Sequence, residues 1–399
     1  MPAAESLAAA SVPSAGQSPI DARVVLLTHY IPLYQVRVLQ QIAAAVREFH
    51  ILLSTPIEPN RDFQPDWSGL DVTVQNSWTL RRRWRHKAGG FEDQLYVHVP
   101  YDTSARLREL NPDVVMSLEL GARSLGAAWY CRRASKSKLV LCTYMSERTE
   151  QNRGWLRRNL RKKLLKQADA VTYNGPSCRR YLETFDVEPS RLFHLPYAAD
   201  DRTLHNGRVD RDESASRGRL LVVGQLTARK GVVRLAAQID EYCRRHADRN
   251  IELIFAGNGP EKSTLREFVT AENLTIQLLG NVPAEDLSLW MCRSSAVIAP
   301  TLADEWMLVV NEAMHAGVPV IGSLHAQAVT TLIEDGVDGW QYDPADESTI
   351  FRSLDQYFSL SDQDLAAMRL AARCKVHSRT PAWAASGAIQ AIQHVINGR

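Results

Sequence analysis

The chain has 399 residues, 45% of them hydrophobic and 23% charged, with a formal net charge of +2. That length allows two domains with separate cores, and the near balance of charge gives no overall case for nucleic acid as a partner. Six cysteines without a C-x-x-C pair point to buried reduced thiols, and no apolar stretch approaches the ~20 residues of a membrane span.

Residues 1–20 are rich in Ala, Ser and Pro and lack a basic n-region, so a disordered tail is expected rather than a signal peptide. From Arg23 onward, short β-branched runs alternate with helical segments. The runs VVLLT (24–28), FHILLS (49–54), DVVMSL (113–118), KLVLCT (138–143) and AVTYN (170–174) suit parallel strands buried on both faces. A helix is predicted over 35–49 between the first two. The polar stretch 200–218 has no periodicity and is expected to be a linker. Alternation resumes with RLLVVG (219–224), IELIFAG (251–257), IQLLG (276–280), AVIAP (296–300) and PVIGS (319–323), and residues 381–396 read as a helix. The pattern predicts an α/β protein with two Rossmann-like, doubly wound domains over 21–199 and 219–380.

Positive charge gathers in two places, RRRWRHK (81–87) and RGWLRRNLRKKLLK (153–166). In the second, helical spacing puts Leu156, Leu160 and Leu164 on one stripe. One reading is an amphipathic helix packed on the sheet with a solvated basic face. The other is a surface of Arg153, Arg157, Arg158, Arg161, Lys162, Lys163 and Lys166 that lies on anionic lipid, extended by 81–87.

In an open α/β sheet, ligands bind beyond the carboxyl ends of the strands. After the second-half strands come Gly224-Gln225, Gly257-Asn258-Gly259, Gly280-Asn281-Val282, and Pro300-Thr301 leading to Asp304. Three glycine turns after separate strands point to one crevice lined by backbone donors; strand-ending turn chemistry is the plainer reading. Lys230 precedes a helix predicted from Val232, where a cation opposes the macrodipole. A bound diphosphate would remove that conflict, and a solvated surface lysine is the alternative. In ADEWMLVVNEAMHAGVPVIGS (303–323), Asp304 stands in a loop after a strand and Glu312 early in a helix predicted from Leu308 to Ala316. The N–H groups of Met307, Leu308 and Val309 would form an anion site at that helix start. Carboxylates on either side suit hydroxyls flanking a diphosphate, which is the layout of a nucleotide sugar. Glu305 is expected to face solvent or to act as an N-terminal dipole partner. A cluster of capping carboxylates is the plainer reading of all three.

The segments GQLTARKG, FAGNGP, LGNVP and DEWMLVVNEAMHAGVPVI, in that order across residues 219–345, resemble the family-4 retaining glycosyltransferases of the GT-B fold. The first half is similar more loosely, through IPLYQVRVLQQIA and LNPDVVMSL. The resemblance implies two facing Rossmann-like domains with a last helix, here 381–399, crossing back to the first. It also implies transfer of a sugar from a nucleoside-diphosphate sugar, with UDP favoured, to a hydroxyl of a glycan or lipid-linked acceptor in polysaccharide or glycolipid assembly. No metal or cofactor is implied, and the expected location is the cytoplasm, peripheral on the inner face of the membrane. The resemblance places Glu312 on the ribose hydroxyls, Asp304 on the donor-sugar hydroxyls and Lys230 on the diphosphate. Gln225 stands where the family often has an arginine, and Met307 replaces a glycine. No histidine follows KLVLCT, which leaves His29 as the candidate on the acceptor side, with Glu147 and Arg148. The rival readings are a catalytically inactive GT-B scaffold that binds nucleotide or glycan, and a sugar-nucleotide epimerase or a phosphorylase on the same scaffold.

Overall fold

A computed structural model describes residues 18–61, 63–86, 89–134, 136–151, 153–200 and 217–398. Most of the expected tail and linker, and Lys87 of the first basic segment, lie outside the described residues. Fifteen strands are described, numbered in chain order. They are β1 (Ile20–Thr28), β2 (Val46–Leu53), β3 (Asp71–Val74), β4 (Ser77–His86), β5 (Phe91–Pro100), β6 (Val114–Leu118), β7 (Lys138–Thr143), β8 (Ala170–Tyr173) and β9 (Leu192–His194), followed by β10 (Arg219–Val223), β11 (Ile251–Ala256), β12 (Leu274–Gly280), β13 (Ala296–Ala299), β14 (Val320–Ser323) and β15 (Gly339–Tyr342).

Two parallel sheets form, in the orders β3-β2-β1-β6-β7-β8-β9 and β12-β11-β10-β13-β14-β15. Each strand order reverses once, between β1 and β6 in the first sheet and between β10 and β13 in the second. Such a reversal leaves a crevice at the carboxyl ends of the two central strands. The cores follow from the pleat. Along β1, Val24 and Leu26 enter one core while Val25 and Leu27 enter another on the opposite face. Along β10, Leu221 and the pair Leu220 and Val222 divide in the same way.

The helix Pro381–Asn397 crosses back to the first domain, where Ala384, Ala385, Ala388, Ala391 and Ile392 share a core with Val24, Leu26 and Met116. Its small residues let it lie close over the sheet. Among the described residues, no helix is long and apolar enough to cross a membrane.

Several expectations are corrected. The first helix runs Leu33–Ala44, and Val46–Phe49 belong to β2. Pairing of β2 with β1 and burial of Val46, Phe49 and Ile51 in one core outweigh the helical preference of the alanines before them. The basic run from 81, for which no element was predicted, is part of β4, which pairs antiparallel with β5 as a hairpin. In the helix Trp155–Gln167, Leu156 lies exposed outside the expected stripe, while Leu164 and Leu165 are buried. Arg161 is no part of an outward basic face. Its side chain is 3% exposed, ion-paired with Glu150 and 2.5 Å from the Tyr181 hydroxyl. Cys374 is exposed, unlike the buried Cys142, Cys178, Cys243 and Cys292.

Candidate active site

The cleft between the sheets opens at the two strand reversals. His29 follows β1 and Glu119 follows β6; Gly224 follows β10, and the loop to Asp304 follows β13. Two chambers fill the cleft, of about 850 Å³ and about 400 Å³, and Arg61, Gly224 and Gln225 line both. The larger is lined on the second-domain side by Gly257, Asn258, Gly259, Asn281 and Val282. Gly257 has φ 152°, and a Cβ there would lie 1.9 Å from the Gly224 carbonyl oxygen, so this turn requires glycine. The smaller is lined by His29, Tyr34, Glu119, Tyr144 and Tyr197 from the first domain and by Arg229, Lys230, Asp304, Glu305, Met307 and Leu308 from the second.

Lys230 closes a single 3₁₀ turn, Ala228–Lys230, ahead of the helix Val232–Arg245. Gly231 between them is left-handed at φ 68°, and a Cβ there would lie 2.5 Å from the Pro300 carbonyl oxygen. That close approach carries Lys230 to Asp304. Lys230 Nζ donates to Asp304 Oδ2 at 2.5 Å, and Arg229 Nη1 donates to the same oxygen at 3.2 Å. The Trp306 backbone N–H donates to Asp304 Oδ1 at 3.1 Å. The three side chains are only 11–17% exposed. Burial alone would raise the Asp304 pKa, but the two cations outweigh it and hold the carboxyl well below the usual carboxylate range. Burial pulls Lys230 below the ordinary lysine value despite Asp304.

The loop bearing Asp304 is held from both domains. Arg229 Nε donates to Asp93 Oδ2 of β5 at 3.0 Å, and Phe91 of the same strand packs with Leu302 and Ala303. Asn174 Nδ2 donates to the Glu305 carbonyl at 3.0 Å, and Gln327 Nε2 bridges the Glu305 and Met145 carbonyls at 2.7 and 3.1 Å. Tyr197 of the first domain stacks on Trp306 of the second, with ring centroids 6.2 Å apart.

Glu305, expected either in solvent or as a partner of the helix dipole, is half-buried at the cleft. It lines the smaller chamber, where burial and the adjacent Asp304 charge raise its pKa. Met307 lines the same chamber with φ 75°, a left-handed conformation that costs a β-carbon residue on the order of 1 kcal/mol. Val309 and Glu312 sit in the helix Val309–His315 and line neither chamber. Glu312 is partly buried, and burial pushes its carboxyl up to about 7.

On the first-domain side, burial brings His29 down to about 4, so its ring is neutral near pH 7; Glu119 pulls upward and Arg123 downward. Glu119 stands 3.8 Å from Arg123 and is itself left-handed at φ 69°. Glu147 and Arg148 line neither chamber. Glu147 pairs with Arg180 at 2.7 Å, and Arg148 Nε donates to the Leu302 carbonyl at 3.3 Å, tying the domains together beside the cleft. Sequence reasoning missed Glu119, Arg61 and the trio Tyr34, Tyr144 and Tyr197. Glu119 had a usable signal, a charged residue directly after an apolar strand.

Residues 34–198 match the family described as Glycosyl transferase 4-like domain, and residues 217–359 match the one described as Glycosyl transferases group 1. The D-inositol 3-phosphate glycosyltransferase of Corynebacterium kroppenstedtii is 25% identical over 253 residues, covering 58% of this chain and 54% of that protein. The chain therefore spans about half the length of that relative. Among solved structures, Anabaena Alr3699/HepE in complex with UDP superposes with a TM-score of 0.70 at 14% identity, over 93% of this chain and 99% of that one. Sucrose-phosphate synthase from Thermosynechococcus elongatus gives 0.69 at 14% identity, over 94% and 100%. At these identities the structural likeness is one of fold.

Proposed function

We propose, from the premise that this chain belongs with the GT-B glycosyltransferases, that it is a retaining, family-4 enzyme. It moves a sugar from a nucleoside-diphosphate sugar, UDP-sugar favoured, to a hydroxyl of a glycan or lipid-linked acceptor in polysaccharide or glycolipid assembly. The observation that carries this reading is the buried Arg229–Lys230–Asp304 cluster, which lines the smaller of two adjoining chambers at the paired strand reversals. The larger chamber takes the nucleoside; the resemblance puts Glu312 on the ribose, although its side chain stands outside both chambers in this structure. The smaller takes the sugar and the acceptor hydroxyl, between His29 and the loop from Asp304 to Leu308.

As the bond from the anomeric carbon to the phosphate oxygen breaks, negative charge grows on the diphosphate. Lys230 stabilises that charge more in the transition state than before it, because its position is already fixed by Asp304. The acceptor oxygen attacks from the face the phosphate leaves, so the configuration is kept, and its proton passes to a phosphate oxygen. Neutral His29 offers the sugar a hydrogen bond without adding charge. The protein's own cations supply the charge on the leaving group, so turnover needs no divalent metal.

Purified protein given UDP-, GDP- and ADP-sugars with glycan and lipid-linked acceptors in excess EDTA tests this. The expected result is transfer from a UDP-sugar, undiminished by EDTA, with a product of unchanged anomeric configuration by NMR. Loss of activity in EDTA with rescue by Mn²⁺ would sink the metal-free mechanism. Donor binding with neither transfer nor hydrolysis would favour the inactive scaffold.

The acceptor reading includes an anionic membrane surface. It is supported by exposed Trp155 and Leu156, 70% and 68% open to solvent, beside exposed Arg157, Arg158, Lys162, Lys163 and Lys166. Each cation near anionic lipid contributes ~1 kcal/mol. The protein should sediment with phosphatidylserine vesicles at low salt and leave them as salt screens the contact. Replacing Arg157, Lys162, Lys163 and Lys166 by glutamine should release it without loss of fold. A wild type that ignores such vesicles at low salt means a soluble acceptor.

A further inference from the structure

We infer that Arg61, from the first domain, is the second cation on the donor's diphosphate, in place of the charge that Gln225 does not carry. The inference rests on the donor-site reading above and adds a residue to it from the opposite wall of the cleft.

Position 225 directly follows the glycine that ends β10, at the strand reversal. Its amide is not idle. Gln225 Nε2 donates to the Asn60 carbonyl at 2.8 Å, so it grips the first-domain loop that comes after β2. That loop turns back on itself, with the Arg61 N–H donating to the Glu58 carbonyl at 3.0 Å. The grip at Asn60 sets the next residue, Arg61, over the line where the chambers join.

Among the described residues, four cations line the two chambers: Arg61, Arg83, Arg229 and Lys230. Arg83 lines only the larger, and Arg229 and Lys230 only the smaller; Arg61 alone lines both. A diphosphate that joins a nucleoside in one chamber to a sugar in the other must cross that junction.

Charge balance points the same way. Arg229 and Lys230 are matched by Asp304 and Asp93 at 2.5–3.2 Å, two cations against two carboxylates. That set alone gives a dianion or trianion no surplus of positive charge. Arg61 meets Glu58 at 3.9 Å, beyond hydrogen-bond reach, and its side chain is 36% exposed. Its planar fork suits two phosphate oxygens at once. A long guanidinium from the facing wall can therefore supply charge that the short neutral amide at 225 cannot.

The experiment is calorimetric binding of UDP, GDP and ADP, and of their nucleosides, to the full chain and three variants. For the diphosphate the wild type prefers, Arg61→Gln should weaken binding tenfold or more and leave the matching nucleoside unchanged. Arg61→Lys should keep part of the affinity. Adding Gln225→Arg to Arg61→Gln should restore at least half of the loss on a logarithmic scale, because the cation returns from the other wall. If Arg61→Gln binds the diphosphate as the wild type does, or loses nucleoside and diphosphate equally, the inference is overturned while the donor site stands. If the wild type binds none of the diphosphates more tightly than its nucleoside, the donor-site reading falls and the inference with it.

Discussion

Lys230→Met is expected to lower kcat/KM by about 10²–10³-fold. Fixed donors aimed at developing charge are worth about 2.7–4 kcal/mol, and each 1.36 kcal/mol is about tenfold in rate. Lys230 qualifies through its burial and its 2.5 Å contact with Asp304, which fixes the ammonium before the donor arrives. The same contact predicts a cost in folding. Breaking a buried ion pair by removing one partner costs about 3–5 kcal/mol. Arg229 remains on the same carboxylate oxygen at 3.2 Å, which keeps the loss at about the lower end. The two effects separate in the double variant Lys230→Met with Asp304→Asn. Removing both charges leaves no unpaired ion, so stability should recover while activity stays low. Steady-state kinetics on folded protein, with thermal unfolding alongside, checks both halves. Turnover within threefold of wild type in folded Lys230→Met would remove the lysine from the mechanism.

Glu312→Ala is expected to cut kcat/KM by about 100-fold or more, about 2.7 kcal/mol at 1.36 per decade, through loss of the ribose contact. Glu312→Gln carries a second signature that needs no substrate. Burial raises this carboxyl from its ordinary 4.5 to about 7. Between those values the folded chain keeps a proton that the unfolded chain has released. Stability therefore falls as pH rises from about 4.5 to 7, and partial solvent access holds the total loss to about 2–3 kcal/mol. Glutamine never ionises and escapes that penalty. The variant should melt above the wild type at pH 8, and the gap should close by pH 4.5. Hydroxyl donors from a bound nucleotide favour the ionised carboxylate, so nucleotide should narrow the gap at pH 8 for the wild type. Parallel melting curves for the two proteins across pH 4.5–8 would mean that Glu312 is not held protonated by burial.

The buried strands were legible because a strand covered on both faces is largely apolar, as DVVMSL and IELIFAG are. The turns after β10 and β11 were legible because each needs glycine, Gly224 for its φ of 134° and Gly257 for its φ of 152° and its close approach to the Gly224 carbonyl. The β4–β5 hairpin was not. Arg81, Arg82, Arg83 and Arg85 are exposed, and the hairpin's contacts lie across the cleft with Arg229 and Leu302, so neither strand shows an apolar period. Glu305 and Arg161 were misplaced for a related reason. Each is a charge whose surroundings come from distant chain: the first-domain wall of the smaller chamber for one, Glu150 and Tyr181 for the other. Arg61 carries no local motif. Its position follows only from a glutamine 164 residues later that holds its neighbour's carbonyl, and that relation exists only once the two domains face each other.

The crossing helix sets an order of events during synthesis. The core around Val24, Leu26 and Met116 is completed by Ala384, Ala385, Ala388 and Ile392, which leave the ribosome after the whole second domain. At about 5–20 residues per second, the roughly 190 residues between the end of the first sheet and that helix take about 10–40 seconds to make. For that interval the nascent first domain shows an uncovered apolar face to the surrounding solution, while the second domain, continuous from Arg219 to Val376, can close its own cores as it emerges. Of the two domains, the one made first is thus the one completed second, because its apolar face waits for residues 384–395.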